Sequence, residues 1–157
     1  MLKDWQKLLI SVVGCEAIGI LGTPFTINAI PNLYEGLNKP FFAPPNWLFG
    51  PAWTLLYFLM GVSLYLIWRQ DWKKSKIKSA IFAFLIQLFL NGIWSPIFFG
   101  LRSPLLGLIT IVLMWISIIV TMRRFWLISR TAFYLLLPYI CWVSFALLLN
   151  AAILALN

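Results

Sequence analysis

The chain has no histidine and only four acids, Asp4, Glu16, Glu35 and Asp71. Acid–base catalysis by histidine, histidine-ligated haem and most zinc sites are therefore excluded. No two of the acids share a helical face, which removes paired-carboxylate hydrolysis as well. Cys15 and Cys141 each lie within an apolar run, so neither points to a disulfide framework, and no metal site is expected. Tryptophans and amides remain. There are nine tryptophans, and aromatic residues make up 17% of the chain. Gln87, Asn91, Trp94, Ser95 and Phe98 fall on one i, i+4, i+7 face. Tyr139, Trp142, Ala146, Asn150 and Ile153 repeat the pattern, and Trp53, Tyr57 and Met60 form a third stripe. Amides, phenols and indoles supply hydrogen bonds without charge. Two readings follow. The amides bond across helices for ~0.6–2 kcal/mol each, or the stripes line an apolar, aromatic pocket with a few convergent polar groups.

Stripes at this spacing require helices, and the composition says in which solvent. Apolar residues make up 62% of the 157 and charged residues 10%, against roughly 25% charged in an ordinary soluble domain. Crossing the ~30 Å hydrocarbon core takes about 20 apolar residues. Five stretches qualify, at about 8–30, 46–68, 79–100, 104–122 and 131–156. The expected fold is an all-α integral membrane protein, a bundle of five transmembrane helices in a single domain spanning 1–157. The first span is expected to be retained, because Glu16 interrupts any signal-peptide core and no clear cleavage site follows.

The 31–45 connection is too long for a tight link. Pro31, Pro40, Pro44 and Pro45 restrict it, and Leu33, Tyr34, Leu37, Phe41 and Phe42 make it apolar, so it should cover the bundle mouth. Asn46 is placed to cap the second helix. Pro24, Pro51, Pro96 and Pro138 each remove a backbone donor near or within a span and open space by kinking. Ser11, Cys15 and Gly19, followed by Thr23, form a small-residue ridge suited to close helix packing. Glu16 is an intramembrane acid and hence a candidate functional residue.

Of the 12 Lys and Arg, all but Lys39 and Arg102 fall on one side of the five-span arrangement. The positive-inside rule then puts the N-terminus in the cytoplasm and the C-terminus outside. The basic Arg69–Lys78 stretch reads as this topology signal, and no nucleic-acid partner is expected. Trp5, Trp47, Trp68, Trp72 and Trp126 fall at span ends, as an interfacial belt does. Trp53, Trp94, Trp115 and Trp142 lie within spans and need another explanation.

The segment from Pro31 to Trp68 contains Tyr34, Lys39-Pro40, Pro44-Pro45, Phe49-Gly50, Trp53, Leu56-Tyr57 and Met60-Gly61. With Asn91-Gly92-Ile93-Trp94-Ser95-Pro96, and with Pro138-Tyr139-Ile140-Cys141-Trp142, Phe145-Ala146 and Asn150, it resembles the tryptophan-rich sensory protein family. The animal members of that family are the translocator proteins, once called peripheral benzodiazepine receptors. The resemblance covers nearly the whole chain. It implies a pocket beneath the first loop that binds porphyrins, sterols and isoquinoline- or benzodiazepine-type ligands. It also implies that Trp53 and Trp142 are the two indoles linked to ligand contact and tetrapyrrole photodegradation, that Asn91 and Ala146 line the cavity, and that Tyr34 and Pro45 belong to the cover.

Together with Tyr57 and Trp94 from the stripes, these residues make up the candidate ligand site. Leu33 stands where many members have Trp. The end of the chain lacks the tyrosine–basic pair of the animal sterol motif, and only a loose Val62–Tyr65–Arg69 match replaces it. The expected function is a membrane receptor or carrier for porphyrins, working in the bilayer without a resident cofactor. A bacterial inner-membrane location and a homodimeric state are further expectations. The alternatives are a light- and oxygen-dependent porphyrin-degrading enzyme using Trp53 and Trp142, or a regulatory membrane interaction subunit.

Overall fold

The computed structural model describes residues 2–29, 34–71 and 73–157. The expectations placed on Pro31, Leu33 and Trp72 lie outside these residues. Six helices make five spans. They are α1 (Asp4–Ala29), α2 (Phe49–Trp68), α3 (Ser75–Ser95), α4 (Pro104–Trp126), α5 (Arg130–Leu135) and α6 (Leu137–Leu156). A 3-10 turn, Asn46–Leu48, leads into α2, and a π turn, Pro96–Gly100, continues α3. The five spans long and apolar enough to cross a membrane are Asp4–Ala29, Asn46–Trp68, Ser75–Gly100, Pro104–Trp126 and Arg130–Leu156. No strand occurs among the described residues. The all-α five-span expectation holds.

The helices run past the expected boundaries at their basic ends. Helix α3 begins at Ser75 and α4 continues to Trp126. Hydropathy marks where hydrocarbon ends, whereas a helix propagates into the polar interface as long as its backbone bonds continue. Two prolines act where they remove a donor. Pro138 follows the break between α5 and α6, which Leu136 N–H bridges by bonding the Phe133 carbonyl at 3.0 Å. After Pro96 the helix widens, and Leu101 N–H reaches the Pro96 carbonyl at 3.0 Å.

Large side chains such as Ile20, Phe82, Phe89 and Leu148 are well exposed on the outside of the bundle. Water does not tolerate so much contiguous apolar surface, and lipid does. Inside, Met60, Phe84, Ile118, Phe125 and Tyr139 are fully buried, with the Phe84 and Phe125 rings stacked at 5.8 Å. At the loop end a second cluster joins Tyr34, Phe98, Phe99, Leu149 and Ile153.

The small-residue ridge sets the seam between α1 and α2. A Cβ at Gly61 would lie 2.5 Å from Val12 Cα, so only glycine permits that approach. Ser11 and Cys15 are buried in this seam. The other helices are tied to one another by polar bonds. Ser63 Oγ donates to the Ala132 carbonyl at 2.7 Å, and Trp115 Nε1 donates to Ser144 Oγ at 2.8 Å. Trp115 is thus a strut between α4 and α6. Trp5 and Trp47 are exposed at span ends, as in a belt, while Trp68 is partly buried against the core instead.

Candidate ligand-binding site

The three stripes meet. Tyr57 Oη on α2 donates to Asn91 Oδ1 on α3 at 2.7 Å, Asn91 Nδ2 donates to Tyr139 Oη on α6 at 2.8 Å, and Tyr139 Oη donates to Gln87 Oε1 at 2.7 Å. All four side chains are buried. This chain closes the middle of the bundle and forms a floor. On the loop side of it lies a cavity of about 530 Å³, within the ~300–1,000 Å³ typical of small-molecule sites.

Tyr34, Trp53, Tyr57, Asn91, Trp94, Trp142 and Ala146 all line this cavity. Trp94 and Trp142 stand one helical turn above Asn91 and Tyr139, on the loop side. The Trp53 ring lies 5.6 Å from Tyr57 and 6.4 Å from Tyr139, Trp94 stacks on Phe98 at 5.1 Å, and Phe49 meets Trp142 edge-on at 6.1 Å.

Four buried polar atoms in the wall have no hydrogen-bond partner among the described residues. They are the Tyr34 hydroxyl, the Trp94 and Trp142 indole Nε1 and the Asn150 Oδ1. Each such group costs about 1–3 kcal/mol if left unpaired. Burial pushes the Tyr34 phenol above its ordinary pKa, which keeps it a neutral donor. Three unpartnered donors and one acceptor thus lie buried within residues that line a mainly apolar space.

The described part of the first loop, residues 34–45, lies across the loop end. Tyr34 is 5% exposed and sits edge-on to Phe49 and Phe99. The Lys39 amine lies 4.8 Å from the Tyr34 ring centre. Asn38 N–H donates to Asn157 Oδ1 at 2.9 Å, and Asn157 Nδ2 returns a bond to the Asn38 carbonyl at 3.0 Å. This clasp fastens the loop to the end of α6.

Pro45 is not brought into the wall. It is exposed, with an extended backbone (φ −63°, ψ 144°) that delivers the chain to the 3-10 turn. The expected cap at Asn46 does not form either. Leu48 N–H bonds the Pro45 carbonyl at 3.0 Å, so the 3-10 turn satisfies the donor, and the Asn46 amide turns to Glu35 at 3.5 Å.

Sequence reasoning missed part of the wall. Ile111 and Met114 of α4 line the cavity, and the spacing of Thr110, Ser117 and Thr121 was the available signal for that inner face. The ridge on α1 packs, as expected, at Ser11 and Cys15, but its upper members Gly19 and Thr23 border the cavity, together with Gly22 and Thr26. Thr26 Oγ1 lies 2.7 Å from Ser95 Oγ, which joins α1 to α3 there. The four-residue spacing that runs on from Gly19 to Thr23 was the available signal. Asn150, placed on a stripe, lines the cavity and bonds the Pro104 carbonyl at 3.0 Å through its Nδ2, while its Oδ1 is buried beside Gly107 without a partner among the described residues.

A five-span bundle with an apolar, partly open cavity under a clasped loop is the architecture of a multi-pass membrane protein. Residues 11–156 match the TspO/MBR family model. The chain belongs to that family. It is 47% identical over 152 residues to the tryptophan-rich protein TspO of Archaeoglobus fulgidus, covering 96% of this chain and 97% of the relative. It is 45% identical over 157 residues to the protein of the same name from Chlorobaculum tepidum, covering 100% and 99%. The human translocator protein is 36% identical over 118 residues, covering 74% of this chain and 70% of its own length. The protein is an integral membrane protein of the sensory and translocator type.

Proposed function

We propose that this protein is a membrane receptor or carrier that binds a porphyrin in the cavity beneath the first loop. The observation that carries this reading is the cavity itself, about 530 Å³ with Trp53, Trp94 and Trp142 in its apolar wall. A flat macrocycle offers stacking area to Trp53, Trp94 and Trp142. Its carboxylates or carbonyls offer acceptors to Tyr34 and to the indole N–H groups. Sterols and isoquinoline- or benzodiazepine-type molecules share the apolar body and compete for the same space. The site needs no metal or cofactor for such binding. In this reading the protein sits in a bacterial inner membrane with its N-terminus in the cytoplasm, alone or as a homodimer.

Light- and oxygen-dependent breakdown of the bound porphyrin is the second reading. Its support is that Trp53 and Trp142 both face the cavity and would abut the macrocycle. One experiment separates these readings from a purely regulatory subunit. Purified protein in detergent is titrated with protoporphyrin IX, tryptophan quenching is followed, and the complex is then illuminated in air. Saturable quenching with an unchanged porphyrin spectrum is the receptor outcome, a new absorbing product the enzyme outcome. Absence of saturable quenching rejects both.

A further inference from the structure

Glu16 is the one charged residue in the cavity wall among the described residues. It stands in the middle of α1, one turn from Gly19, where a Cβ would lie 2.5 Å from the Tyr57 ring. That places it beside the Tyr57–Asn91–Tyr139 floor, at the inner end of the cavity. The residue is partly exposed, and its carboxyl makes no hydrogen bond or ion pair with any described residue; the two ion pairs among the described residues both go to Asp4. A carboxylate at this depth is costly unless something pairs with it.

The unpartnered groups nearer the loop include three donors, from Tyr34, Trp94 and Trp142. Tyr34, Trp94 and Trp142, which carry those donors, line the cavity on the loop side of the floor, and Glu16 is its one carboxyl among the described residues, at the inner end. A molecule that satisfies both ends carries its own acceptors toward the loop and a positively polarised nitrogen toward Glu16.

Building on the cavity reading above, we propose that Glu16 is a specificity residue, accepting a hydrogen bond from a protonated amine or N–H group at the inner end of an apolar ligand. The test uses two probes with one aromatic body, 1-pyrenemethylamine and 1-pyrenemethanol. Each is read by energy transfer from tryptophan in neutral detergent and corrected for partition into micelles. The parent is expected to bind the amine at least about tenfold more tightly than the alcohol. Glu16→Asp should keep that preference. Glu16→Gln should bring the two affinities together by weakening the amine alone.

No preference in the parent, binding of neither probe, a preference kept in Glu16→Gln, or equal weakening of both probes in that variant overturns the assignment. Protoporphyrin IX titrated beside them separates the two claims. Porphyrin binding without an amine preference removes Glu16 and leaves the cavity reading. An amine preference lost in Glu16→Gln without porphyrin binding supports Glu16 and removes the porphyrin.

Discussion

Asn91 takes part in two structures at once. Its amide bonds Tyr57 and Tyr139 from two other helices, and the same side chain lines the cavity. Glue and pocket, alternatives when read from spacing, are here one arrangement, because the amide that lines the cavity is the one the two phenols hold. Spacing does not distinguish Trp115, which ties α4 to α6, from Trp53 and Trp142, which face the cavity. All three lie within spans, and helical period carries no information about which neighbour a face will meet. The family motifs supplied that distinction. Trp53→Phe and Trp142→Phe should fold, since apolarity and most of the volume are kept. As pocket walls, each should weaken protoporphyrin IX binding by about 1 kcal/mol in a quenching titration, through lost indole area and, at Trp142, a lost donor. As photochemical participants they would instead leave binding intact and slow the light-driven loss of porphyrin absorbance. Parent-like values in both measurements would remove the two residues from the site.

The helices were legible from length and apolarity, and the sites of Pro96 and Pro138 marked where two of them deform. That one deformation is a π turn and the other a one-residue interruption at Leu136 was not legible, since both arise from how neighbouring carbonyls find replacement donors. The α1–α2 seam was legible in the small residues of α1, but its tightest point is Gly61 on α2, whose partner is the Val12 backbone. Gly61→Val should therefore force the helices apart and destabilise the bundle by about 1–3 kcal/mol, seen as a lower Tm in detergent. An unchanged Tm would mean that the seam is not rigid. The loop was expected as a cover, and its clasp to Asn157 joins residues far apart in the chain that no local pattern links. Replacing residues 31–45 with a flexible Gly/Ser linker should leave the bundle inserted and speed ligand release more than it slows association. Stopped-flow dissociation of protoporphyrin IX measures this, and an unchanged release rate would take the loop out of the account.

At the scale of the molecule, two features can be tested, the uneven charge and the cavity. All Lys and Arg except Lys39 and Arg102 belong to one end of the spans, so a reporter fused after Asn157 should read as extracytoplasmic and one inserted near Lys76 as cytoplasmic. The reverse result would invert the orientation and place the loop and its cavity mouth on the cytoplasmic side. The central claim is that the enclosed space holds the ligand, and Ala146, a small residue in its wall, allows that space to be filled without altering any hydrogen bond described above. Protoporphyrin IX titrated into the parent and into Ala146→Phe, at matched helix content by circular dichroism, tests it directly. Saturable tryptophan quenching in the parent and its loss in Ala146→Phe is the predicted result, whereas equal saturable quenching in both would show that the porphyrin binds elsewhere.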